Sequence, residues 1–170
     1  NSNYINDCSH IILPGVGSYF KSMEKIKKNI SIENLEQQIF KKKKFFLGIC
    51  VGMQVLSTDG HEFETCNGLN WINGSVKKIN NDKLPHIGWN NINIKKNSKL
   101  FQNLSDKEDF YFLHSYYLLP ANKSNIIAET NYAHDFCSAI EKENIFGVQF
   151  HPEKSQRAGQ ILVENFLNLE

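Results

Sequence analysis

Apolar and polar positions along the first third of the chain predict one buried strand followed by two helices. Residues 11–13 are all apolar and stop at the Pro-Gly-Val-Gly stretch of residues 14–17, which is typical of a buried strand that runs into a tight loop. Apolar residues then recur at helical spacing in two segments, the second of which follows Ser31 as a candidate cap. These residues are Phe20, Met23, Ile26 and Ile30, then Ile32, Leu35 and Ile39.

The remainder of the chain alternates between strand and helix patterns and then becomes rich in strands. Residues 45–49 predict a second strand, and residues 51–57 predict a helix that starts abruptly after it. Other predicted elements are strands at 75–79, 91–94, 126–130, 138–141 and 145–150, a strand at 110–119 that leads into a site loop, a turn at 142–144 and a helix at 157–169. Strands that alternate with helices predict α/β layers with a mainly parallel sheet, and the second half predicts extra antiparallel strands.

Composition and charge fit one globular domain and argue against two kinds of partner. The chain has 170 residues and a formal net charge of +1, so it lacks the basic field expected of a nucleic-acid-binding protein. It has no apolar run of about 18 residues and no signal peptide, so we expect no membrane span and a cytoplasmic location. The lysines at residues 41–44 are either a binding patch or, as we favour, the solvated end of a helix.

The cysteines divide into one unusual residue and three ordinary ones. Cys8, Cys50, Cys66 and Cys137 form no CxxC pair, so we expect no metal site, and free thiols rather than disulfides. Most free cysteines are small buried hydrophobes. Cys50 differs because it lies in Gly48-Ile49-Cys50-Val51-Gly52, directly after a predicted strand.

The glycines around Cys50 predict a nucleophile elbow. A strand that turns sharply into a helix exposes the residue at the turn, and small neighbours let its strained backbone pack. The start of the helix is expected to lower the pKa of the Cys50 thiol, and the Val51 N–H to lie where an oxyanion would form. Because G-x-C-x-G also occurs by chance, the prediction needs a second group.

A nucleophile needs a base, and His151 is the best placed of the six histidines. It follows the predicted strand at 145–150 and precedes Pro152 and Glu153. Pro152 fixes the backbone, so Glu153 can accept from one ring nitrogen of His151 while the other nitrogen faces a thiol. The residues thus predict a Cys-His-Glu triad, although a lone histidine at a strand end is more often a surface or core residue.

Five blocks of sequence resemble class I (triad) glutamine amidotransferases, in the right order and over nearly the whole chain. Residues 48–54 resemble the nucleophile elbow of that family, residues 147–155 its histidine segment and residues 13–17 its oxyanion strand. Residues 85–90 and 112–117 are most similar to the glutaminase subunits of imidazole glycerol phosphate synthases. The resemblance implies a flavodoxin-like sheet flanked by helices, one domain over residues 1–170, and no cofactor.

The resemblance also implies roles for individual residues. Cys50 attacks the side-chain amide of L-glutamine, His151 moves the proton, Glu153 orients the imidazole, and ammonia leaves from a γ-glutamyl thioester. Oxyanion donors come from Val51 and the loop at 15–17, and Gln54 and the backbone of Ser115 and Tyr116 contact the substrate. In full, the implied substrate and oxyanion residues are Gly15, Val16, Gly17, Gly48, Val51, Gly52, Gln54, Ser115 and Tyr116.

A partner is implied as well, because family members pass ammonia to a (β/α)₈-barrel synthase or cyclase subunit, here in histidine biosynthesis. Trp89 and Lys154 match positions near that interface, while a core aromatic and a solvated lysine are the ordinary alternatives. Three other functions stay open: a glutaminase that supplies a sugar-amidating synthase, a cysteine peptidase or hydrolase of related fold, and a binding subunit without activity.

Two further expectations concern the start of the chain and the loop around Val16. The family begins with a strand and loop of about 35 residues before the equivalent of Asn1, and we expect that strand in the middle of the sheet. The glycines on either side of Val16 allow a peptide flip between open and closed oxyanion holes. We therefore expect low glutaminase activity in the absence of a partner.

Overall fold

The computed structural model describes residues 3–170, and these form α/β layers built on a mixed sheet. The helices are α1 (Asn3–Asp7), α2 (Tyr19–Asn29), α3 (Ile32–Glu36), α4 (Val51–Gln54) and α5 (Gln156–Leu167). A π-helical turn, Gln37–Lys41, continues α3, and three short 3₁₀ turns occur at Lys99–Phe101, Lys123–Asn125 and Pro152–Lys154. None of the helices in this part of the chain has both the length and the apolar character needed to cross a bilayer.

Twelve strands within residues 3–170 form three sheets. The strands are β1 (His10–Gly15), β2 (Phe45–Cys50), β3 (Asp59–His61), β4 (Thr65–Asn67), β5 (Gly74–Lys78), β6 (His86–Asn91), β7 (Asn93–Ile94), β8 (Asp109–His114), β9 (Tyr116–Pro120), β10 (Ile126–Tyr132), β11 (His134–Lys142) and β12 (Ile145–Val148). The largest sheet has six strands in the order β1-β2-β12-β11-β10-β7, the second has four in the order β4-β3-β5-β9, and β6 pairs with β8 alone.

The parallel strands of the large sheet end at the edge where the predicted site lies. β1 pairs parallel with β2, and β2 pairs parallel with β12, whereas β11, β10 and β7 are added antiparallel. Because parallel strands end at the same edge of a sheet, the loops after β1, β2 and β12 meet there. The register places Gly15 of β1 directly beside Cys50 of β2.

Helices cover both faces of the large sheet. In β12, Phe146 packs edge-to-face on Phe166 of α5, while the backbone of the next residue, Gly147, lies against Met53 of α4. Consecutive residues of a strand point to opposite faces, so α4 and α5 cover opposite sides. The α/β class with added antiparallel strands is confirmed by this arrangement.

Several predicted elements differ from the structure in length or number. The helix expected at 51–57 ends at Gln54, and the strand expected at 110–119 is divided into β8 and β9 at Ser115. Residues 91–94 are the end of β6 and the short β7 rather than one strand. The helix α1 and the strands β3 and β4 had no counterpart in the apolar pattern, because each is short and contains no run of apolar residues.

The second helical segment has the predicted cap. Ser31 has extended backbone angles, and its side chain accepts a hydrogen bond from the backbone N–H of Asn34. This bond satisfies one of the free N–H groups that open every helix. Leu35 and Ile39 are buried on the inner face of this segment, as their spacing predicted.

Candidate active site

Cys50 lies at a sharp turn between β2 and α4. Its backbone has φ 54° and ψ −114°, outside the regions that residues other than glycine normally adopt. Such strain persists only where the surrounding structure enforces it, and it concentrates at functional sites. A side chain at Gly52 would overlap the carbonyl oxygen of Leu13, and one at Gly48 would overlap the carbonyl of Gly52. The two glycines are therefore what lets the elbow pack against β1.

His151 is held in place by hydrogen bonds of its side chain and of its backbone. It is buried, and its Nδ1 lies 2.7 Å from Oε1 of Glu153, whose side chain is half exposed. Its backbone N–H donates to the carbonyl of Tyr111 in β8, and its own carbonyl accepts from the Ser155 hydroxyl. Ser155 Oγ also accepts from the N–H of Tyr111. These contacts fix the imidazole to β8 as well as to the end of β12.

The second ring nitrogen of His151 is free to react. Its Nε2 is buried and has no hydrogen-bond partner among residues 3–170. A buried nitrogen without a partner is costly unless a ligand or a reacting group satisfies it. Since Nδ1 faces a carboxylate and carries the proton, Nε2 is the basic nitrogen of the neutral ring.

Cys50 and His151 line the same cavity, which has a volume of about 200 Å³. Pockets for drug-sized ligands measure roughly 300–1,000 Å³, so this one suits a molecule the size of an amino acid. We call it the elbow cavity. Its lining consists of Gly15, Val16, Gly17, Cys50, Val51, Gln54, Glu62, Leu113, His114, Ser115, Tyr116 and His151.

The Cys50 thiol is protonated at rest, contrary to the expectation that the helix start would lower its pKa. Burial raises the pKa of Cys50 to about 11, and it outweighs the hydrogen bonds from the Val51 N–H and the Gln149 amide, which act in the opposite direction. The helix that follows Cys50 has only four residues, so its dipole is small. An attack by the Cys50 sulfur would therefore need a base that takes its proton.

The elbow cavity brings together most of the predicted substrate residues. The loop after β1 supplies Gly15, Val16 and Gly17, and the half-exposed Ser115 and Tyr116 form the opposite rim. Gln54 faces the cavity from α4 and donates through Nε2 to the carbonyl of Tyr116. Gly48 and Gly52 lie behind the elbow and do not line the cavity, so they act on the backbone rather than on a ligand.

Trp89 and Lys154 lie outside the elbow cavity on a neighbouring surface. Trp89 is 49% exposed, which excludes the alternative of a core aromatic. It packs edge-to-face on Tyr111 with ring centroids 6.0 Å apart, and the Lys154 ammonium lies 5.7 Å from the same tyrosine ring. The two residues predicted at an interface are therefore neighbours on one patch.

Three polar residues at the site were not predicted from the sequence. Within the described part of the chain, Glu62 is the only carboxylate that lines the elbow cavity, and it lies in the poorly patterned segment before β4. Gln149 is fully buried, and its Nε2 lies 3.7 Å from the Cys50 sulfur. His114 lines the cavity from the end of β8. Gln149 and His114 lie inside the sequence blocks that carried the family resemblance. Their place in those blocks was the signal from which they could have been predicted.

No ion site accompanies this chemistry in the described part of the chain. Among residues 3–170, no group of three or more His, Cys, Asp or Glu side chains is placed to hold a metal ion. The four cysteines are free thiols.

An elbow cysteine and a carboxylate-bound histidine that share one cavity are the arrangement that a cysteine-dependent enzyme on an α/β sheet requires. The chain belongs to the class-I glutamine amidotransferase family, whose model matches residues 3–169. Relatives named "Imidazole glycerol phosphate synthase subunit HisH" match it over nearly its full length. The one from Pelagibacter ubique is 46% identical and the one from Leptospira borgpetersenii 44%; the alignments cover 98% and 97% of this chain and 83% of each relative.

Solved structures show the same fold. A glutamine amidotransferase from Thermotoga maritima has a TM-score of 0.65 and 21% identity, with 95% of this chain and 63% of that one covered. The structure of PurLQS from the same organism has a TM-score of 0.71 and 18% identity, with 96% and 80% covered. The sequence resemblance to class I glutamine amidotransferases, and within them to the synthase glutaminases, is thus confirmed by the family model and the curated relatives.

Proposed function

We propose that this chain is the glutaminase subunit of an imidazole glycerol phosphate synthase and releases ammonia from L-glutamine for histidine biosynthesis. The observation that carries the proposal is the elbow cavity, which is lined both by a strained Cys50 and by His151, whose buried Nε2 has no hydrogen-bond partner among residues 3–170. The close relatives named for that synthase support the pathway.

The proposed reaction begins with proton transfer. Nε2 of His151 takes the thiol proton as Cys50 Sγ bonds to the amide carbon of glutamine, and Glu153 stabilises the imidazolium that forms. The tetrahedral oxyanion accepts hydrogen bonds from the Val51 N–H and from an N–H of the loop at 15–17. His151 then returns the proton to the leaving nitrogen, which departs as ammonia. Water, deprotonated by His151, hydrolyses the γ-glutamyl thioester to glutamate and restores the thiol.

Substrate recognition is proposed to use the polar rim of the cavity. The Nε2 of Gln54 donates to Tyr116 and to Gln149, so its Oε1 is the polar atom left for a ligand. The carboxylate of Glu62 matches the α-ammonium group of a free amino acid. Its place is fixed by a hydrogen bond of 2.6 Å from the Tyr19 backbone N–H.

A protein partner is proposed to dock on the surface beside the cavity. Ile87 and Trp89 of β6 lie directly across from Leu113 and Tyr111 of β8, and together these four residues form what we call the apolar face. Leu113 belongs both to this face and to the cavity lining. A (β/α)₈-barrel synthase subunit seated there would receive ammonia directly from the site, and Lys154 would lie at the rim of the interface.

The nucleophile assignment can be tested with glutamine as the substrate. We expect Cys50→Ala, assayed with the cyclase subunit of an imidazole glycerol phosphate synthase, to lose glutamate release by about 10⁴-fold or more, since the thioester cannot form. Cys66→Ala is the matched control, because Cys66 is a half-buried cysteine outside the cavity. Mass mapping should show that an electrophilic glutamine analogue labels Cys50 and none of the other cysteines. Turnover that survives in Cys50→Ala would contradict the proposal.

A further inference from the structure

Two buried histidines that the proposed reaction does not use lie opposite each other on β6 and β8. His86 and His114 are cross-strand partners, and both are almost fully buried. Nδ1 of His86 lies 3.0 Å from Nε2 of His114. His114 also lines the elbow cavity. A pair of buried imidazoles at the edge of a substrate site requires a physical reason.

The hydrogen bonds of the pair fix both tautomers. Nδ1 of His114 lies 2.8 Å from the carbonyl oxygen of Tyr116, which can only accept, so this nitrogen carries the proton. In the neutral ring its Nε2 accepts, so Nδ1 of His86 must donate to it. Nε2 of His86 then accepts from the side-chain amide of Asn90, 3.2 Å away. The hydrogen bonds thus form a chain with one direction: Asn90 donates to His86, His86 donates to His114, and His114 donates to the carbonyl of Tyr116.

The surroundings keep both rings neutral and in place. His86 stacks between Tyr132 and Phe112, with ring centroids 4.0 Å and 4.8 Å away. Burial lowers the pKa of His86 to about 4 and that of His114 to about 3. A proton added to either ring would place two N–H groups face to face. The pair is therefore a rigid, uncharged hydrogen-bond donor to one carbonyl.

That carbonyl connects the pair to the groups proposed to contact glutamine. The oxygen of Tyr116 accepts from His114 and also from Nε2 of Gln54, each at 2.8 Å. Gln54 donates in turn to Oε1 of Gln149 at 3.0 Å, which leaves the Gln149 amide aimed at the Cys50 sulfur. The orientation of the Tyr116 peptide therefore sets which way both glutamine side chains point.

We propose that His114, held by His86, is a positioning residue that fixes the Tyr116 carbonyl and through it the substrate-facing amide of Gln54. It acts through Tyr116 and does not touch the reacting atoms. The inference rests on the proposed glutaminase function, since it assigns a role in binding that same substrate. Loss of the His114 donor removes one of the two side-chain hydrogen bonds to the Tyr116 carbonyl, so Gln54 is oriented less firmly, which weakens glutamine binding more than the chemical step.

The test compares two replacements of the same branched shape, His114→Leu and His114→Asn. The asparagine amide takes the position of Nδ1 and keeps the donor to Tyr116, whereas leucine removes it. In complex with the synthase partner, we expect His114→Leu to raise KM for glutamine about tenfold with kcat changed less than about threefold. His114→Asn should bring KM back to within about threefold of the wild type. Equal KM values in the two variants would overturn the inference.

A measurement on the unmodified protein tests the inference even where the variants fail to fold. Long-range ¹H–¹⁵N spectra at pH 7 should show both rings as the Nδ1–H tautomer, which is the less common form of free histidine. An Nε2–H tautomer at either ring would overturn the inference on its own. A wild-type complex that releases no glutamate would overturn the proposed function and this inference with it, whereas an active wild type with matching Leu and Asn variants would overturn the inference alone.

Discussion

At the scale of single residues, burial rather than the helix start decides the state of the nucleophile. Cys50 is 4% exposed, and its pKa is raised to about 11. At pH 7 only about one thiol in 10⁴ is ionised at such a pKa. In the proposed reaction the site therefore depends on His151 to remove the thiol proton during attack.

The raised pKa predicts the pH dependence of alkylation at Cys50. Raising the pH toward 11 increases the thiolate fraction, so labelling by iodoacetamide, followed by mass mapping of the Cys50 peptide, should speed up about tenfold per pH unit between pH 7 and 10. A rate that levels off below pH 8 would show a depressed thiol pKa instead. The rates of the Cys8 and Cys66 peptides, measured in the same samples, control for changes in the reagent.

At the scale of elements, the elbow depends on close backbone contact between β1, β2 and α4. The space that a side chain of Gly52 would need is filled by the Leu13 carbonyl of β1, which cannot move without breaking the parallel pairing with β2. Packing of this kind also holds the loop at 15–17 beside Cys50, because Gly15 lies against the backbone of Gly52.

We expect Gly52→Ala to damage both stability and the site. Forcing a methyl group into a filled space typically costs about 1–3 kcal/mol, which for a chain of this size lowers Tm by roughly 2–12 °C. Calorimetry should show the lower Tm. Mass mapping should show slower labelling of Cys50 by the glutamine analogue. Ala158→Gly in α5, a helical site away from the elbow, is the comparison for a general loss of stability: it should lower Tm without changing the labelling rate. Unchanged Tm and labelling in Gly52→Ala would contradict the packing argument.

Particular elements explain which parts of the molecule the sequence could predict. β2, α2 and β12 were predictable from apolar runs and helical spacing, since buried elements impose a pattern on the chain. The short strands β3 and β4 impose none, and Glu62 lies between them. The division between β8 and β9 at Ser115 also left no trace, because apolar residues continue on both sides of it.

The same reasoning applies to the candidate site. Cys50, His151 and Glu153 were predictable because each lies in a short local pattern with a mechanical meaning. The direction of the Cys50 pKa shift was not, since it depends on how deeply the elbow is buried by segments far away in sequence. The roles of Gln149 and of the His86–His114 pair likewise exist only through contacts between distant elements.

At the scale of the whole molecule, the apolar face is the most marked feature of the surface near the site. Ile87 is 57% exposed, Trp89 49% and Leu113 38%, and the strand pairing of β6 with β8 holds them side by side. An exposed apolar cluster of this kind marks an interaction surface more often than an accident of folding. Because Leu113 also lines the elbow cavity, a partner bound here would cover the way out of the site.

We expect Trp89→Ala to weaken binding of the (β/α)₈-barrel synthase partner. A tryptophan at the centre of an interface is typically worth about 2 kcal/mol or more, which corresponds to a Kd raised about 30-fold. Titration calorimetry with the purified partner measures this change directly. Leu119→Ala is the matched control, because Leu119 is 45% exposed on β9, outside the apolar face, and should leave Kd within about twofold.

The same complex tests whether partner binding and glutamine turnover are linked. If the partner closes the oxyanion hole formed by the loop at 15–17, glutamate release should rise when the synthase partner is added, and Trp89→Ala should need a correspondingly higher partner concentration for the same rise. Val16 is 81% exposed and Gly17 has φ +105°, so this loop has room and freedom to move. Full activity of the isolated chain would contradict a link between partner binding and turnover, and a Trp89→Ala variant that binds and responds like the wild type would place the partner elsewhere on the molecule.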